Sequence, residues 1–288
     1  MLSLIGMAVV LAMVFGGYTL AGGKFGVIIA ALPFELMMIG GAAVGAFLVA
    51  NDMATVKKAV GGVVGVIKGP RWRQDDYRDL LCLLYSLLRV ARRDAVALET
   101  HIEDPANSPL FQAYPKIAAD HEAVHIICDT LRLASMNFDD PHQLEDLLSH
   151  QLEGHHKKAL VGSTAVQTMA DGLPALGIVA AVLGIIKTMS SIDQPPSVLG
   201  KMIGGALVGT FLGVFLAYGF VGPLSARMKA IVDEDHEFYV LIKDTLVASL
   251  QKHSPQICVE VARQNISAPN QPGFEALEEA LKSVGEAA

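Results

Sequence analysis

His121-Glu122-Ala123-Val124-His125 fits the pattern H-E-x-x-H, which sets two imidazoles on one helical face with a glutamate able to act as base toward a zinc-bound water. His142, His150, His155 and His156 offer a third ligand. The pattern specifies only three residues and the chain has nine histidines, so an exposed face of a helical bundle is the better explanation. His155-His156-Lys157-Lys158 likewise reads as a lipid-headgroup contact, a pH-sensitive patch or, more simply, a solvated basic flank. Arg89, Arg92, Arg93, Asp94, Glu99 and Glu103 crowd one stretch with charges of both signs, a surface suited to docking or to plain solvation. Cys82, Cys128 and Cys258 are widely spaced and odd in number, which points to reduced thiols rather than a disulfide framework or zinc knuckle. With no glycine-rich phosphate loop, triad spacing or C-x-x-C, the chain is not expected to be an enzyme.

The elements that must carry these residues are mostly apolar. A composition 52% hydrophobic and 18% charged, with each class clustered, indicates a polytopic membrane protein with sizeable aqueous segments. A net charge of −7 argues against a nucleic-acid partner, which calls for a basic footprint. The organising stretch is 171–223, read as two apolar helices, Gly172–Met189 and Met202–Pro223, joined at Ser190–Pro196. No charge occurs from Met202 to Ala226, and at about 1.5 Å per residue that run spans a hydrocarbon core of about 30 Å. Gly205, Gly209, Gly213 and Ala217 recur every fourth position, a face that lets another helix approach closely. Thr210 is the only strongly polar group near the middle of this hairpin, roughly 20 Å along the helix from Pro223. The preceding helix has its midpoint near Ala181. Neither helix holds a carboxylate, histidine or lysine at mid-depth, so an ion crossing here needs a carrier from another chain.

Leu2–Gly23 is the first span, and its start lacks the positive region of a cleaved signal. The second, shorter span is expected from about Pro33 to Asn51. Glu35 then lies near its start; an intramembrane acid is a functional candidate by default, but a place close to the interface favours a structural role. Lys57, Lys58, Lys68, Arg71, Arg73, Lys157, Lys158, Arg227 and Lys229 outnumber Lys24, Lys187 and Lys201 of the two short loops. The positive-inside rule therefore puts 52–170, 224–288 and the N-terminus in the cytoplasm. The expected fold is an all-α membrane protein: a first transmembrane hairpin (1–51), a large helical cytoplasmic domain (52–170), a second hairpin (171–223), and a cytoplasmic C-terminal helix and tail (224–288).

Within the cytoplasmic part, Trp72 beside Pro70 is a candidate anchor at the membrane surface. Asp75 or Asp76 can cap a helix with an apolar face of Leu80, Leu83, Leu84, Leu87, Leu88 and Val90, running to the stop at Asp104-Pro105. A second helix covers about Tyr114–Ser135. Asp140-Pro141 starts a third, with aspartate as N-cap and proline at the first helical position. It can run on into the third span, with a kink expected at Gly172 and Pro174, and the fourth span can continue to about Gln251. After Ser267 an acidic helix (FEALEEALKSV) is expected at the periphery.

The hairpin DGLPALGIVAAVLGIIKTM…GALVGTFLGVFLAYGFVGPL resembles the third and fourth spans of the MotA family, the stator subunits of the bacterial flagellar motor. The stretch LLRVARRDAVALETHIEDP…FQAYPKIAAD is similar to that family's rotor-facing segment. The resemblance covers nearly the whole chain. It implies a proton-conducting torque generator of the inner membrane: a homo-oligomer, five such chains in related stators, around a MotB-like subunit with an ion-binding aspartate, acting on a FliG-like rotor protein. No cofactor beyond the coupling proton is implied. The family's hinge prolines match Pro174 and Pro223, and the ion pathway falls on Thr210, Ala181 and Tyr218. Sodium-type relatives have threonine where this chain has Ala181, which favours protons. The rotor-contacting glutamate matches Glu99, and its companion arginine is Arg92 or Arg93. The competing readings are an ExbB/TolQ-like energy-transducing subunit, a kind with three spans rather than paired hairpins, and a membrane-bound zinc hydrolase built on His121, Glu122 and His125.

Overall fold

The computed structural model describes residues 2–136 and 140–287, with side chains of the last helix described to Val284. Its elements are α1 (Leu2–Leu20), α2 (Gly26–Ala50), α3 (Met53–Lys68), α4 (Gln74–Arg93), α5 (Ala95–Glu103), α6 (Pro109–Gln112), α7 (Pro115–Ala118), α8 (His121–Ser135), α9 (Pro141–Met189), α10 (Pro196–Leu216), a π-helical turn (Ala217–Val221), α11 (Gly222–Leu250), α12 (Pro255–Gln264) and α13 (Phe274–Ala287). Two compact units are formed, Met1–Gly69 with Lys158–Val232 and Pro70–Lys157 with Asp233–Ala288.

The first unit holds the apolar helices. Four helical stretches are long and apolar enough to cross a membrane: Leu2–Leu20, Gly26–Ala50, Pro141–Met189 and Pro196–Leu250. The first is apolar all round and buries none of its residues within the chain, as suits a helix surrounded by hydrocarbon or by other subunits. The second span corrects the expectation. It begins at Gly26, not Pro33, and at 25 residues exceeds the 19 of the first. Pro33 sits inside it, which a membrane helix tolerates because neighbours and local adjustments re-satisfy the freed carbonyl. Ile39 and Ala43 of this helix join Leu173, Ala180, Leu212 and Ala217 in one packed cluster.

Helix α3 was not anticipated. Asp52 caps it by accepting the Thr55 N–H at 2.8 Å, and Gly69 ends it at φ 81°, a left-handed conformation that glycine adopts without strain. Ala59 and Val66 pack with Val166 of α9 and Met228 and Ile231 of α11, while Val60, Val64 and Ile67 stay exposed. The ammonium of Lys58 donates to the Lys158 carbonyl at 2.9 Å. The long stalk is present: α9 is continuous for 49 residues and carries Pro174 inside it.

The second unit is a helical bundle around one core. Leu80, Leu83, Leu84, Leu87 and Leu88 are all buried, as their spacing requires. The charged helix expected to run to Asp104 is broken at Asp94, whose carboxylate accepts the Val96 N–H at 2.9 Å and so starts α5. The helix expected over Tyr114–Ser135 is two pieces, α7 and α8, because Asp120 accepts the Ala123 N–H at 2.8 Å and caps α8. Asp140 caps α9 through the His142 N–H at 2.9 Å.

Trp72 is not a surface anchor. It is 1% exposed and stacked on Phe238, with ring centroids 3.9 Å apart. The acidic helix α13 is also less peripheral than expected, since Leu277 is buried and Ala280, Leu281 and Val284 lie against the core.

Candidate functional site

The second hairpin is held together by small residues on both helices. A Cβ added at Gly177 would stand 2.8 Å from the Gly209 carbonyl oxygen and 3.1 Å from Gly213 Cα, and one added at Gly184 would stand 2.6 Å from Ala206 Cβ. Gly209 and Gly213 are thus covered by α9, so most of the glycine face is filled by the chain's own helix rather than kept open. Gly205 is the exception, with nothing closer to an added Cβ than Ala31 Cβ at 3.9 Å.

Exposure picks out a different stripe of α10. Ile203, Leu207 and Val214 are exposed, Thr210 is half-buried among them, and Tyr218 follows at 73% exposure in the π-helical turn. Thr210, Val214 and Tyr218 succeed one another at four-residue spacing, a nearly straight line along a helix. Ala181 is buried at 7% exposure, beside Ala180, whose methyl would meet a Cβ on Gly209 at 3.2 Å. Thr210 and Tyr218 therefore share one outward stripe, and Ala181 lies inside.

The prolines act on the backbone. Pro223 has no N–H for the carbonyl four residues back, and the preceding turn widens so that the Gly222 N–H bonds the Ala217 carbonyl. Pro174 leaves the Ala170 carbonyl without its usual donor. The Ser225 hydroxyl, buried, donates to the Ser163 carbonyl at 2.9 Å and pins α11 to α9.

One residue set aside on sequence grounds sits at the centre. Glu35 is the tenth residue of α2, roughly 13 Å along the helix from Gly26, and 5% exposed. A Cβ on Gly209 would stand 2.6 Å from its Oε2, which is buried and has no hydrogen-bond partner among the described residues. The signal was available, an acid in an apolar run, but reading Pro33 as the start of the span placed it at the interface.

In the second unit the two candidate arginines differ. Arg92 donates to the carbonyls of Lys252, at 3.2 Å, and His253. Arg93 and Glu99 are exposed, and neither has a hydrogen-bond or ion-pair partner among the described residues. Glu103 is taken by Arg132 at 2.9 Å.

The H-E-x-x-H residues do not converge. His121 is exposed, His125 points its Nε2 at Asp129, 3.1 Å away, and the described residues contain no group of three histidines, cysteines or acids able to hold a metal ion. The His155–Lys158 stretch divides. Lys157 and Lys158 are exposed, whereas His155 packs edge-on to Tyr239 and His156 stacks on His236 with centroids 4.2 Å apart. Burial, and then the neighbouring His156 and His155, push His236 down to about 4.

Comparison with known proteins agrees with this architecture. Residues 4–95 match the family model "Motility protein A N-terminal", and 119–239 match "MotA/TolQ/ExbB proton channel family". The chain is 37% identical to Motility protein A of Salmonella typhimurium over 285 residues, covering 99% of this chain and 96% of that protein. It is 37% identical to Chemotaxis protein LafT of Vibrio parahaemolyticus over 278 residues, covering 96% and 97%. Among solved structures, that of C. jejuni MotAB matches with a TM-score of 0.71 at 18% identity, covering 94% of this chain and 98% of that one. The flagellar MotAB stator complex from Bacillus subtilis matches at 0.67 and 21%, covering 90% and 93%. Both share the fold. With such identity sustained from end to end, on four membrane-length helices joined to a helical bundle, the chain belongs to the Motility protein A (MotA) family.

Proposed function

We propose that the chain is a stator subunit of a bacterial flagellar motor, conducting protons together with a MotB-like partner and converting that flow into torque on a FliG-like rotor protein. The observation that carries the reading is the outward stripe of α10 and the π-helical turn, which is uncharged and apolar except for two hydroxyls, Thr210 near its middle and Tyr218 at its end. A stripe of that kind suits a partner's membrane helix bringing its own aspartate. A charged group in hydrocarbon normally faces protein or trapped water. The partner seats on this stripe rather than on the glycine face, which α9 covers. Ala181 lacks the hydroxyl found in sodium-type relatives, so the coupling ion is the proton and no other cofactor is needed. Pro174 and Pro223 are the hinges, and protonation changes which packing is preferred.

The motion reaches the rotor at Arg93 and Glu99. The excess of lysine and arginine places both termini in the cytoplasm, with lipid around the four spans and several copies, five by analogy with related stators, around the partner. The chain is a channel subunit and not an enzyme. The test is proton flux into vesicles holding both chains, alongside swimming speed against sodium concentration and against an uncoupler. Flux is expected only with both chains present, and speed is expected to follow the uncoupler and ignore sodium. Equal flux from this chain alone would overturn the reading.

A further inference from the structure

A cavity of about 880 Å³ opens in the first unit among α2, α9 and α10. Its outer lining includes the exposed Lys24, Lys187 and Lys201, and its inner lining includes Glu35 and Gly205. Lys201 precedes Gly209 by about 12 Å of helix, and Gly26 precedes Glu35 by a similar distance. The acid therefore lies about halfway into a hydrocarbon layer about 30 Å thick. At about 30 Å³ per molecule the cavity has room for nearly thirty waters. The buried Oε2 of Glu35 has no donor among the described residues. In such surroundings a carboxyl must hold a proton itself or receive one from a neighbour.

We propose that Glu35 is a proton site of this chain's own, loaded through the lysine-rimmed cavity and discharged toward the partner's carboxylate at the level of Thr210. A water-borne proton adds to the Glu35 carboxylate to give the acid. The acid then passes that proton to the partner's carboxylate, and the Glu35 carboxylate is regenerated. The proposal rests on the stator reading above.

The experiment compares wild-type, Glu35→Gln and Glu35→Asp complexes of both chains in lipid vesicles. It measures proton flux across a range of pH and the protonated-carboxyl infrared band in water and in deuterium oxide. Glu35→Gln is expected to form the complex, to lose a deuterium-sensitive carboxyl band and to lower flux roughly tenfold or more, while Glu35→Asp keeps part of the flux with an altered pH profile. Wild-type flux from Glu35→Gln, an unchanged infrared spectrum, or failure of both variants to assemble would each overturn the proposal, the last by making Glu35 a packing group. A wild-type complex that passes no protons would instead defeat the stator reading, and the infrared band would still report whether Glu35 exchanges its proton with water.

Discussion

Gly177 meets the backbone of Gly209 so closely that a Cβ on the first would stand 2.8 Å from the carbonyl oxygen of the second. The obstacle is main chain, which cannot swing aside as a side-chain tip can. Gly177→Leu is expected to lower the stability of the purified protein by about 2 kcal/mol or more and to reduce the yield of monodisperse material in detergent. Gly205→Ala is the control. Its new methyl meets nothing nearer than 3.9 Å and should leave the melting temperature in place. Equal losses from the two changes would mean that the hairpin is not packed in this way.

Arg92 and Arg93 are neighbours with different work. The first ties the C-terminal end of α4 to the carbonyls of Lys252 and His253, so Arg92→Ala should cost about 1 kcal/mol of stability. The second has no such tie, and Arg93→Glu should leave melting unchanged while slowing or stopping swimming. Glu99→Lys should behave like Arg93→Glu, with partial rescue when the rotor's opposing charge is reversed. Soft-agar motility and thermal melting on the same variants separate the two roles. Normal swimming from both Arg93→Glu and Glu99→Lys would remove this surface from the motor.

The existence of four apolar runs and the long continuations of α9 and α11 were legible because each run is long and nearly free of charge and no loop-length run of turn residues separates the third or fourth from its continuation. The breaks at Asp94 and Asp120 were not, since an aspartate inside a charged segment looks the same as a cap or as a solvated side chain until its N–H partner is known. Pro33 misled in the opposite direction, reading as a boundary where the membrane helix absorbs it, and Glu35 was misplaced with it. The burial of Trp72 depends on Phe238, far along the chain, which no local pattern reveals. The choice between Arg92 and Arg93 was open for the same reason, because the carbonyls that claim Arg92 come from the other end of the bundle sequence.

Pro223 supplies a test in which stability and function part company. Restoring an N–H at this position lets the residue bond the Gly219 carbonyl and removes the cause of the widened turn at Ala217–Val221. Pro223→Ala should therefore be as stable as the wild type or more so, by about 1 kcal/mol, because proline is unfavourable within a helix. Swimming should fall even so, with the stator still assembling at the motor, since residues above the turn are re-aimed relative to those below it. A variant that swims normally would show that the π turn is incidental to coupling.

His236 lies in the charged part of α11, well past Pro223, stacked on His156 and faced by His155, Lys243 and Asp233, the last 3.1 Å from His156 Nε2. Its imidazole titrates near about 4 rather than the ordinary 6.5, because burial and the two neighbouring histidines disfavour the charged form. Between those values the unfolded chain carries a proton here that the folded chain does not. Stability therefore rises with pH across the window and is lost as pH falls from 6.5 toward about 4. Carboxylates titrate over part of the same range, so the informative quantity is the difference between wild type and His236→Asn, a neutral side chain that cannot take the proton. The variant's melting temperature should fall less steeply on acidification, with the two curves converging in slope above neutrality. Parallel curves throughout would mean that this histidine carries its ordinary charge behaviour in the folded protein.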